Sequence, residues 1–422
     1  MTKRPSPDTP GVCIIVENNT VPPDTRVWRE AKTLKAAGYR VSVICPKGRG
    51  FDASHETLDG IEIYRHRNLQ ASHALGYLVE YTWALIIEFL LAIRIYMRSR
   101  FQIIQGCNPP DTIFIIALFF KLFGVRYIFD QHDPVPELSK SRFGSNKILY
   151  YVSIILERLS FRVADVVIVT NQSCKESALS RGGVPDEKCL VVRNCPRLTD
   201  FPSRPPQRDL KEGREYLVVY VGIMGPQDGI DHLVASIDYL VNEKGRKDTQ
   251  FVLIGDGSSV APMQARIRKL GLDSYIQFTG PRYGNELRAY LATADVAVSP
   301  DPPNVFNHKV TMIKIFEYMA CAIPVVLYDL AEGRRSSRGA ALYAQNGDPR
   351  DFGDKIADLL DSRQLRDQLG STGRKIIHDS MNWEAEEQVL LNAYDLGCAE
   401  LPYSRRAVMA GPSTVAGSSS ST

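Results

Sequence analysis

Buried apolar runs alternate with polar loops and amphipathic stretches along the first half of the chain. Val12 to Glu17 predicts a buried strand, and a helical pattern follows from Thr25 to Ala37 and ends before Gly38. Val41 to Cys45 predicts the next strand. A strand, a loop, a helix and a second strand in this order open a doubly wound α/β sheet. Further strands are predicted at Ile103–Gln105, Tyr127–Asp130, Val166–Thr170 and Cys189–Val192.

The same order of elements recurs in the second half. Leu217–Val221 predicts a strand, residues 222–229 (GIMGPQDG) a glycine-rich loop, Ile230–Val241 a helix, and Phe251–Ile254 a strand. Between the halves, from Pro196 to Glu215, the chain is polar and proline-rich, which is typical of a linker. The fold predicted is therefore α/β, with two Rossmann-like doubly wound domains facing a central cleft. We place them at 11–200 and 216–382, with a linker at 201–215, a final helix at 383–400 and a low-complexity, disordered tail at 401–422.

The stretch 307–329 predicts a polar loop, an amphipathic helix and a buried strand. Lys314 and Glu317 lie three residues apart and therefore share one face of that helix. A helix N-terminus offers free amides and the positive end of a dipole, which suits a diphosphate, and a nearby Glu can accept both hydroxyls of a ribose. The pattern thus indicates a nucleoside diphosphate site. A surface Lys and Glu on an ordinary crossover helix have the same spacing, so that alternative stays open.

Composition narrows the class of protein. The chain has 422 residues, of which 44% are hydrophobic and 23% charged, as in globular proteins of two domains. Its formal net charge of +3 does not indicate nucleic-acid binding. The eight cysteines form no C-x-x-C pair and several lie in apolar runs, which favours reduced thiols and a cytoplasmic location. The polar, proline-rich start leads directly into a strand, so no signal peptide is predicted.

Two segments of the first domain are unusually apolar. Tyr81–Ile93 contains Glu88 and is followed by three arginines, and it is shorter than the ~20 residues that a membrane span needs. Lys147–Arg162 mixes aromatic and aliphatic residues with basic ones. Core helices packed on a sheet explain both segments. Peripheral attachment to an anionic membrane surface is the alternative.

Several longer motifs appear in a fixed order. They are NPPD at 108–111, FDQHDPVPEL at 129–138, VVRNCP at 191–196, VLIGDGS at 252–258, IQFTGPRYGNELRAYLATADVAVSP at 276–300 and KIFEYMACAIPVV at 314–326, with Trp383 before the last helix. Through them the chain resembles the GT-B glycosyltransferases of family 4, in particular bacterial members that build surface polysaccharides. The resemblance extends from Val12 to about Leu396.

This resemblance implies glycosyl transfer with retained configuration, from a nucleotide sugar (a UDP-sugar is expected) held mainly by the second domain. Glu317 matches the residue that binds the ribose, and His132 matches the one that faces the transferred sugar near the leaving phosphate. The loop Gly222–Gly229 matches the glycine loop under the diphosphate. No metal and no cofactor are expected, since the nucleotide sugar is a co-substrate and the chain contains no D-x-D sequence.

The sequence departs from the family pattern at three positions. Lys309 stands where the first Glu of E-x7-E is expected, Ile223 where an Arg is usual, and Asp228 where a Lys is usual. The last two cations normally neutralise the donor diphosphate, so other positive charge must replace them. We expect Lys314 and the N-terminus of its helix to stabilise most of the leaving group.

The candidate site residues fall into three groups. Catalytic residues are expected at His132, Asp133 and Lys314; donor-binding residues at Glu317, Lys309, Gly222, Gly225, Gly255, Thr311, Ile313 and Arg334; and acceptor-side residues at Arg26, Asn108 and Glu137. The expected acceptor is a lipid-linked or other glycan in surface polysaccharide biosynthesis, with the protein peripheral on the inner face of the plasma membrane and without a nucleic-acid partner. A catalytically silent binding subunit of another transferase and a nucleotide-sugar epimerase are the alternatives.

Overall fold

A computed structural model describes residues 10–48, 50–67, 74–144, 146–202, 204–345 and 347–399. The tail predicted at 401–422 lies outside these residues. Within them, eight strands form the first sheet, in the order β3-β4-β2-β1-β5-β6-β7-β8. All neighbours are parallel except β3 and β4. The strands are β1 Gly11–Val16, β2 Arg40–Pro46, β3 His55–Leu58, β4 Ile61–His66, β5 Ile103–Cys107, β6 Arg126–Gln131, β7 Val166–Val169 and β8 Cys189–Val191.

Helices cover both faces of this sheet. They are α1 Thr25–Ala36, α2 Ala74–Arg98, α3 Phe114–Lys121, α4 Val135–Phe143, α5 Lys147–Val163 and α6 Gln172–Gly182. Local capping sets several of their starts. The Asp24 carboxylate accepts the Val27 amide at 3.0 Å and begins α1, and the Asn171 side chain accepts the Cys174 amide at 2.8 Å and begins α6.

The second sheet has six parallel strands among the described residues, in the order β11-β10-β9-β12-β13-β14. The strands are β9 Tyr216–Val221, β10 Thr249–Ile254, β11 Ile276–Gly280, β12 Val296–Ser299, β13 Val325–Tyr328 and β14 Ala341–Ala344. The helices are α7 Ile230–Asp238, α8 Val260–Leu270, α9 Gly284–Thr293, α10 Ile313–Ala320, α11 Ala331–Ser337, α12 Pro349–Asp361 and α13 Arg363–Asp379, and a π-helical turn, Tyr239–Glu243, continues α7. Short 3₁₀ turns lie at Asp186–Lys188, Leu198–Asp200 and Arg208–Lys211.

Each sheet reverses its strand order at one place. In the first sheet the chain runs outward from β1 through β2, and β5 lies on the other side of β1. In the second sheet the chain runs outward from β9 through β10, and β12 lies on the other side of β9. Ligands of such sheets bind beyond the carboxyl ends of the strands at these reversals. The segments after β1, β5, β9 and β12 are therefore where a site belongs, and the predicted fold of two Rossmann-like domains is confirmed.

The last helix, α14 (Trp383–Ala399), returns to the first domain. Trp383 is fully buried, and its indole N–H donates to the Thr33 hydroxyl of α1 at 3.0 Å. Tyr394 lies in the same core beneath β1 and β6. The periodicity of this helix did not predict where it docks. The chain therefore passes between the two domains twice, once at the linker and again before this helix.

The helices α2, α3 and α5 pack side by side on the other face of the first sheet. Phe89 of α2 contacts Phe119 of α3 with ring centroids 5.0 Å apart, and Lys121 of α3 donates to the Val163 carbonyl that ends α5 at 2.8 Å. Their inner faces are buried, yet their outer faces expose apolar side chains, and Leu122, directly after α3, is 81% exposed. Among the described residues, no helix combines the length and apolar character that crossing a membrane requires.

Candidate functional site

A cavity of about 290 Å³ opens between the two domains. The first domain contributes the loop after β1 and the segments after β6, β7 and β8, and the second contributes the loop that leads into α10. The lining residues are Asn18, Asn19, Pro23, Asp24, Thr25, Arg26, His132, Asp133, Thr170, Asn194, Val310, Thr311 and Ile313. Five of them were assigned to the site from the sequence: Arg26, His132, Asp133, Thr311 and Ile313.

His132 is held by a buried carboxylate. Its Nε2 lies 2.8 Å from Asp130 Oδ2, and the His132 side chain is 13% exposed at the cavity. Arg26 binds the other oxygen of Asp130 at 2.7 Å and donates to the Val192 carbonyl at 2.8 Å. Arg26 was expected at the acceptor side. Instead its guanidinium is buried with internal partners, so its direct role in the structure is to fix Asp130.

These contacts set the charges of the pair. Burial alone would raise the pKa of Asp130, but Arg26 and His132 outweigh it and hold that pKa below its usual range. Burial opposes protonation of His132, yet the charge and hydrogen bond of Asp130 raise the pKa of His132 above 6.5. Because Asp130 is ionised, Nε2 carries a proton toward it. The His132 ring therefore presents its Nδ1 edge as the one without a partner among the described residues.

Asn108 shapes the loop that carries His132. Its Oδ1 accepts the amides of His132 at 2.6 Å and of Asp133 at 3.2 Å, while its Nδ2 donates to Asp111 and to the Asp133 carbonyl, both at 2.8 Å. Asn108 is 0% exposed. The expectation that it lines the acceptor side is therefore wrong, because every polar group of its side chain serves the protein. It positions the loop of His132 and Asp133 from beneath.

Lys314 lies in the first turn of α10 and has a carboxylate partner. Its Nζ is 3.1 Å from Asp301 Oδ1, 3.5 Å from the Tyr220 hydroxyl and 4.6 Å from the centroid of the Tyr220 ring. Asp301 is 1% exposed and is also bonded by the Ser299 hydroxyl. The ammonium group is thus held in one place before any ligand binds. Its positive charge is balanced by Asp301.

The glycine loop lies against the loop that follows β10. Gly255 has a φ of +140°, and a Cβ there would lie 1.8 Å from the Gly222 carbonyl oxygen. Gly225 donates its amide to Asp228 Oδ2 at 2.8 Å. Ile223 is 71% exposed where a cation is usual in the family. The loop therefore has the close backbone packing expected of it, but its one charged side chain is an anion.

Glu317 lies one turn after the N-terminus of α10 and is half-buried. Burial raises its pKa to about 7; Arg29 of the first domain opposes this shift and Asp200 adds to it. The same helix begins at Ile313 beside the cavity, and Met312, the residue before it, gives no side-chain cap. Amide donors at the start of α10 are therefore left for a ligand, with Glu317 beyond them.

Two of the assigned residues join the domains instead of facing the cavity. Lys309 Nζ lies 2.7 Å from Glu137 Oε1 and 2.9 Å from the Ser177 hydroxyl, and Arg181 binds Glu137 as well, at 2.8 Å. Glu137 is 7% exposed. Glu137 was expected at the acceptor side. The structure corrects this, because Lys309 and Arg181 both bind its carboxylate. The positive charge of Lys309 is likewise paired with Glu137 in this structure and is not directed at a donor.

Arg334 lies on α11, at the surface of the second domain. It pairs with Asp329, and its guanidinium carbon lies 4.1 Å above the Tyr343 ring centroid. It is exposed and outside the set of cavity-lining residues. The structure therefore does not bring it to the cavity that His132 lines.

One group of side chains among the described residues has metal-ligand types close together: Cys107, Asp130 and His132. Asp130 and His132 are already bonded to each other. Burial, with the charges of Asp130 and Glu30, raises the pKa of the Cys107 thiol well above its ordinary value, and a neutral thiol is a poor ligand. Metal independence of the site stays a prediction.

The sequence pattern did not predict Asp130 as the partner of Arg26 or Asp301 as the partner of Lys314. Asp130 lies at the end of β6, and Asp301 follows the end of β12. A carboxylate at a strand end is the sequence signal that could have identified each of them. Their pairing with Arg26 and Lys314 is a tertiary contact. It could not be read from spacing.

Two family models match the chain. Residues 24–196 match the family described as Glycosyltransferase Family 4, and residues 215–362 match the one described as Glycosyl transferases group 1. Between them they include the ends of β6, β7 and β8 and the loop that leads into α10, but not the end of β1. The linker and the last helix lie mostly outside these matches.

Individual proteins show the same similarity at low identity. Sulfoquinovosyl transferase SQD2 of Arabidopsis thaliana is 22% identical over 307 residues, 70% of this chain and 56% of SQD2. The chain spans about half the length of the curated relatives it matches. Sucrose-phosphate synthase of Thermosynechococcus elongatus has a TM-score of 0.75 at 18% identity, covering 92% of this chain and 98% of that one. Anabaena HepE in complex with UDP-glucose has a TM-score of 0.69 at 15% identity, covering 91% and 99%.

Proposed function

Because the chain belongs to the family 4-like glycosyltransferases with a GT-B fold, we propose that it transfers a sugar from a nucleoside diphosphate donor to a glycan acceptor. The observation that carries this proposal is the meeting of two features at one cavity. His132, fixed by Asp130, lines it from the first domain, and the uncapped start of α10 lines it from the second. HepE has been solved with UDP-glucose, which supports a UDP-sugar as the donor class.

Each residue then has a defined role. The start of α10 and Lys314 hold the diphosphate, Glu317 accepts the ribose hydroxyls, and His132 hydrogen-bonds the sugar or its adjacent phosphate. In the reaction the bond between the anomeric carbon and the diphosphate oxygen breaks, and its electron pair stays on the diphosphate. The acceptor oxygen forms the new bond, and its proton goes to Asp133 or to the departing phosphate oxygen. We propose retained configuration and no metal ion.

A panel of nucleoside diphosphates and nucleotide sugars tests the proposal. At 100 times its Kd, a ligand adds about 2.7 kcal/mol to the free energy of unfolding, so a true donor raises the Tm. Product analysis with the best binder then looks for sugar transfer or slow donor hydrolysis, with and without a chelator. Failure of every nucleotide to bind would refute the proposal. Loss of turnover on chelation would refute its metal-independent part.

We also propose that the acceptor is lipid-linked and that the outer faces of α2, α3 and α5 rest on the anionic inner leaflet of the plasma membrane. The exposed apolar side chains there include Trp83, Leu90, Leu122, Phe123, Ile148 and Ile155. Exposed arginines, among them Arg94, Arg98, Arg158 and Arg162, lie on the same helices. Apolar side chains mixed with cations are complementary to acyl chains beneath anionic headgroups, which supports this placement.

Vesicle co-sedimentation tests the membrane contact. The protein should partition to phosphatidylcholine vesicles containing phosphatidylglycerol more than to phosphatidylcholine alone. Leu122→Asp should weaken partition roughly 30-fold, from loss of about 2 kcal/mol of apolar burial. Tyr283→Asp, at a 79% exposed position of the second domain, is the control and should bind as the wild type does. Equal losses in both variants would contradict the assigned surface.

Because Asp301 balances the charge of Lys314, a second function is favoured as the alternative: a catalytically silent binding subunit. Asp301 neutralises Lys314, and Asp228 replaces a cation in the glycine loop. A silent subunit would bind the nucleotide but neither transfer nor hydrolyse the sugar. Donor turnover by the purified chain separates the two functions.

A further inference from the structure

Gln105 is a buried side chain that joins the last helix to the carboxylate behind His132. It lies in β5, between β1 and β6, and is 0% exposed. Its amide nitrogen donates to Asp130 Oδ2 at 2.9 Å and to Glu30 Oε2 at 2.7 Å. Its amide oxygen accepts the Tyr394 hydroxyl of α14. Both the donor and the acceptor side of the Gln105 amide are therefore used inside the protein.

The Tyr394 hydroxyl fixes which way the Gln105 amide faces. With its oxygen bonded by Tyr394, the amide turns its nitrogen toward Asp130 and Glu30. The reversed amide would place an oxygen, which only accepts hydrogen bonds, against two carboxylates. Without the hydroxyl, the amide oxygen would also be left buried without a donor, which is costly. One phenolic hydroxyl thus sets the orientation of the group that bonds Asp130.

Asp130 Oδ2 is the atom on which this bond acts, because it also accepts the His132 ring, at 2.8 Å. Arg26 binds Oδ1 with Nη2 at 2.7 Å, but its Nε is 3.4 Å from Oδ2. A carboxylate held only by Arg26 and His132 could turn toward the guanidinium, since closing the longer contact completes a bidentate pair. The bond from Gln105 is a further contact that keeps Oδ2 in place for His132.

The ordinary explanation of a buried Gln and Tyr is that each satisfies the other's hydrogen bonds in the core. That explanation does not account for the choice of partner, since Gln105 bonds the same oxygen of Asp130 as His132 does. The core also holds Tyr39, whose ring centroid lies 5.7 Å from that of Tyr394. Among the described residues Tyr39 is not a hydrogen-bond partner of Gln105, so it shares the packing of Tyr394 without its link to the site.

We propose that Gln105 and Tyr394 are positioning residues for His132. Tyr394 orients the Gln105 amide, and that amide holds the carboxylate that orients the His132 ring. Neither Gln105 nor Tyr394 lines the cavity, so both act through Asp130. The inference rests on the proposed transferase function, in which His132 hydrogen-bonds the sugar or its phosphate. It also gives α14 a role at the site, because the helix that follows the second domain completes a network of the first.

The first experiment removes one hydroxyl from the full chain. Tyr394→Phe keeps the ring and its packing, and Tyr39→Phe, the matched control, removes a hydroxyl from the same core. With the best donor from the nucleotide panel, Tyr394→Phe should lower kcat about tenfold, the effect of one buried hydrogen bond. It should leave KM unchanged, because Tyr394 lies outside the cavity. Tyr39→Phe should match the wild type in both constants.

A double-mutant cycle tests whether Tyr394 acts through Gln105. Gln105→Met removes the amide but keeps an unbranched side chain, and it should lower kcat at least as far as Tyr394→Phe does. Adding Tyr394→Phe to Gln105→Met should cost less than about a further twofold, because residues that act as one unit are not additive. A full second loss would mean that the two side chains act independently, and it would overturn the proposed order of contacts.

The His132 ring gives a measurement that needs no turnover. In an NMR titration of the unliganded protein, Tyr394→Phe should lower the pH at which His132 titrates, because its ring loses part of its bond to Asp130. Tyr39→Phe should leave that midpoint unchanged, and His132→Gln identifies the signal. A midpoint in Tyr394→Phe equal to that in Tyr39→Phe overturns the positioning role, whatever reaction the protein performs.

The outcomes separate this inference from the transferase function. A wild type that binds no nucleotide, together with a lowered His132 midpoint in Tyr394→Phe, overturns the transferase proposal and supports the positioning of the ring. A wild type that turns over its donor while Tyr394→Phe and Tyr39→Phe have the same kcat overturns the positioning role alone. Equal Tm values for the two Phe variants exclude a loss of folding as the cause of any difference between them.

Discussion

Replacing Glu317 with Gln should remove most of the pH dependence of nucleotide binding. Burial raises the pKa of Glu317 to about 7, with Arg29 opposing and Asp200 adding to the shift. In the proposed binding mode the ionised carboxylate accepts both ribose hydroxyls, whereas the neutral acid keeps a proton on one oxygen. Nucleotide binding therefore favours the ionised form and releases a proton. Affinity should rise as the pH increases through 7.

The magnitude follows from that pKa. Each pH unit changes the ratio of ionised to neutral acid tenfold, so about a tenth of Glu317 is ionised at pH 6 and about nine tenths at pH 8. If only the ionised form binds ribose, Kd falls about tenfold between those values, which is about 1.4 kcal/mol. The Gln variant should bind more weakly at high pH and show little of this slope.

Isothermal titration with UDP measures the effect. Titrations in two buffers of different ionisation enthalpy count the protons released, and the wild type should release about half a proton more than Glu317→Gln near pH 7. UDP itself titrates in this range, but equally in both proteins, so the difference isolates Glu317. Glu187→Gln, at an exposed surface position, is the control. The same pH slope in wild type and Glu317→Gln would refute the ribose assignment.

The free protein gives an independent check of sign. Between 4.5 and about 7 native Glu317 keeps a proton that the unfolded chain has lost. The free energy of unfolding should therefore fall as the pH rises through this window. The upper limit is about 3 kcal/mol, less because the side chain is partly exposed. Denaturant unfolding at both ends of the window should show a smaller fall for the Gln variant.

Three further changes test other contacts. Asp130→Asn removes the carboxylate that raises the pKa of His132, so the ring should titrate at lower pH in an NMR titration; an unchanged midpoint would contradict the pairing. Lys309→Ala breaks the interdomain pair with Glu137, and small-angle scattering of the unliganded protein should give a larger radius of gyration. Gly255→Ala forces a Cβ to 1.8 Å from a facing carbonyl oxygen at a φ of +140°, so UDP-induced stabilisation should be lost.

The pattern of apolar and polar residues predicted the features that depend on interactions between residues close in sequence. Apolar runs located the strands that end at the cavity, and the periodicity after residue 307 located α10, because burial on a parallel sheet requires both. The start of α10 at Ile313 and the position of Glu317 one turn later follow from that helix alone. The helix predicted as Ile230–Val241 instead ends its regular turns at Asp238 and continues as a π-helical turn.

The sequence pattern could not predict which side chains pair with each other across the fold. Arg26 precedes Asp130 by 104 residues, and Glu137 precedes Lys309 by 172. Each side chain had an exposed, functional interpretation when considered alone, and each is satisfied by a distant partner in the structure. Trp383 likewise docks on the first domain because its indole reaches Thr33. Such pairings depend on chain topology and not on residue spacing.

The His132 imidazole and the Lys314 ammonium group at the centre of the site are held in the same way. His132 is paired with Asp130, which is 0% exposed and held by Arg26; Lys314 is paired with Asp301, which is 1% exposed and held by Ser299. A buried, bonded carboxylate keeps each side chain oriented before the proposed donor binds, so little reorganisation remains for the proposed reaction. The same carboxylates reduce the net charge offered to the diphosphate.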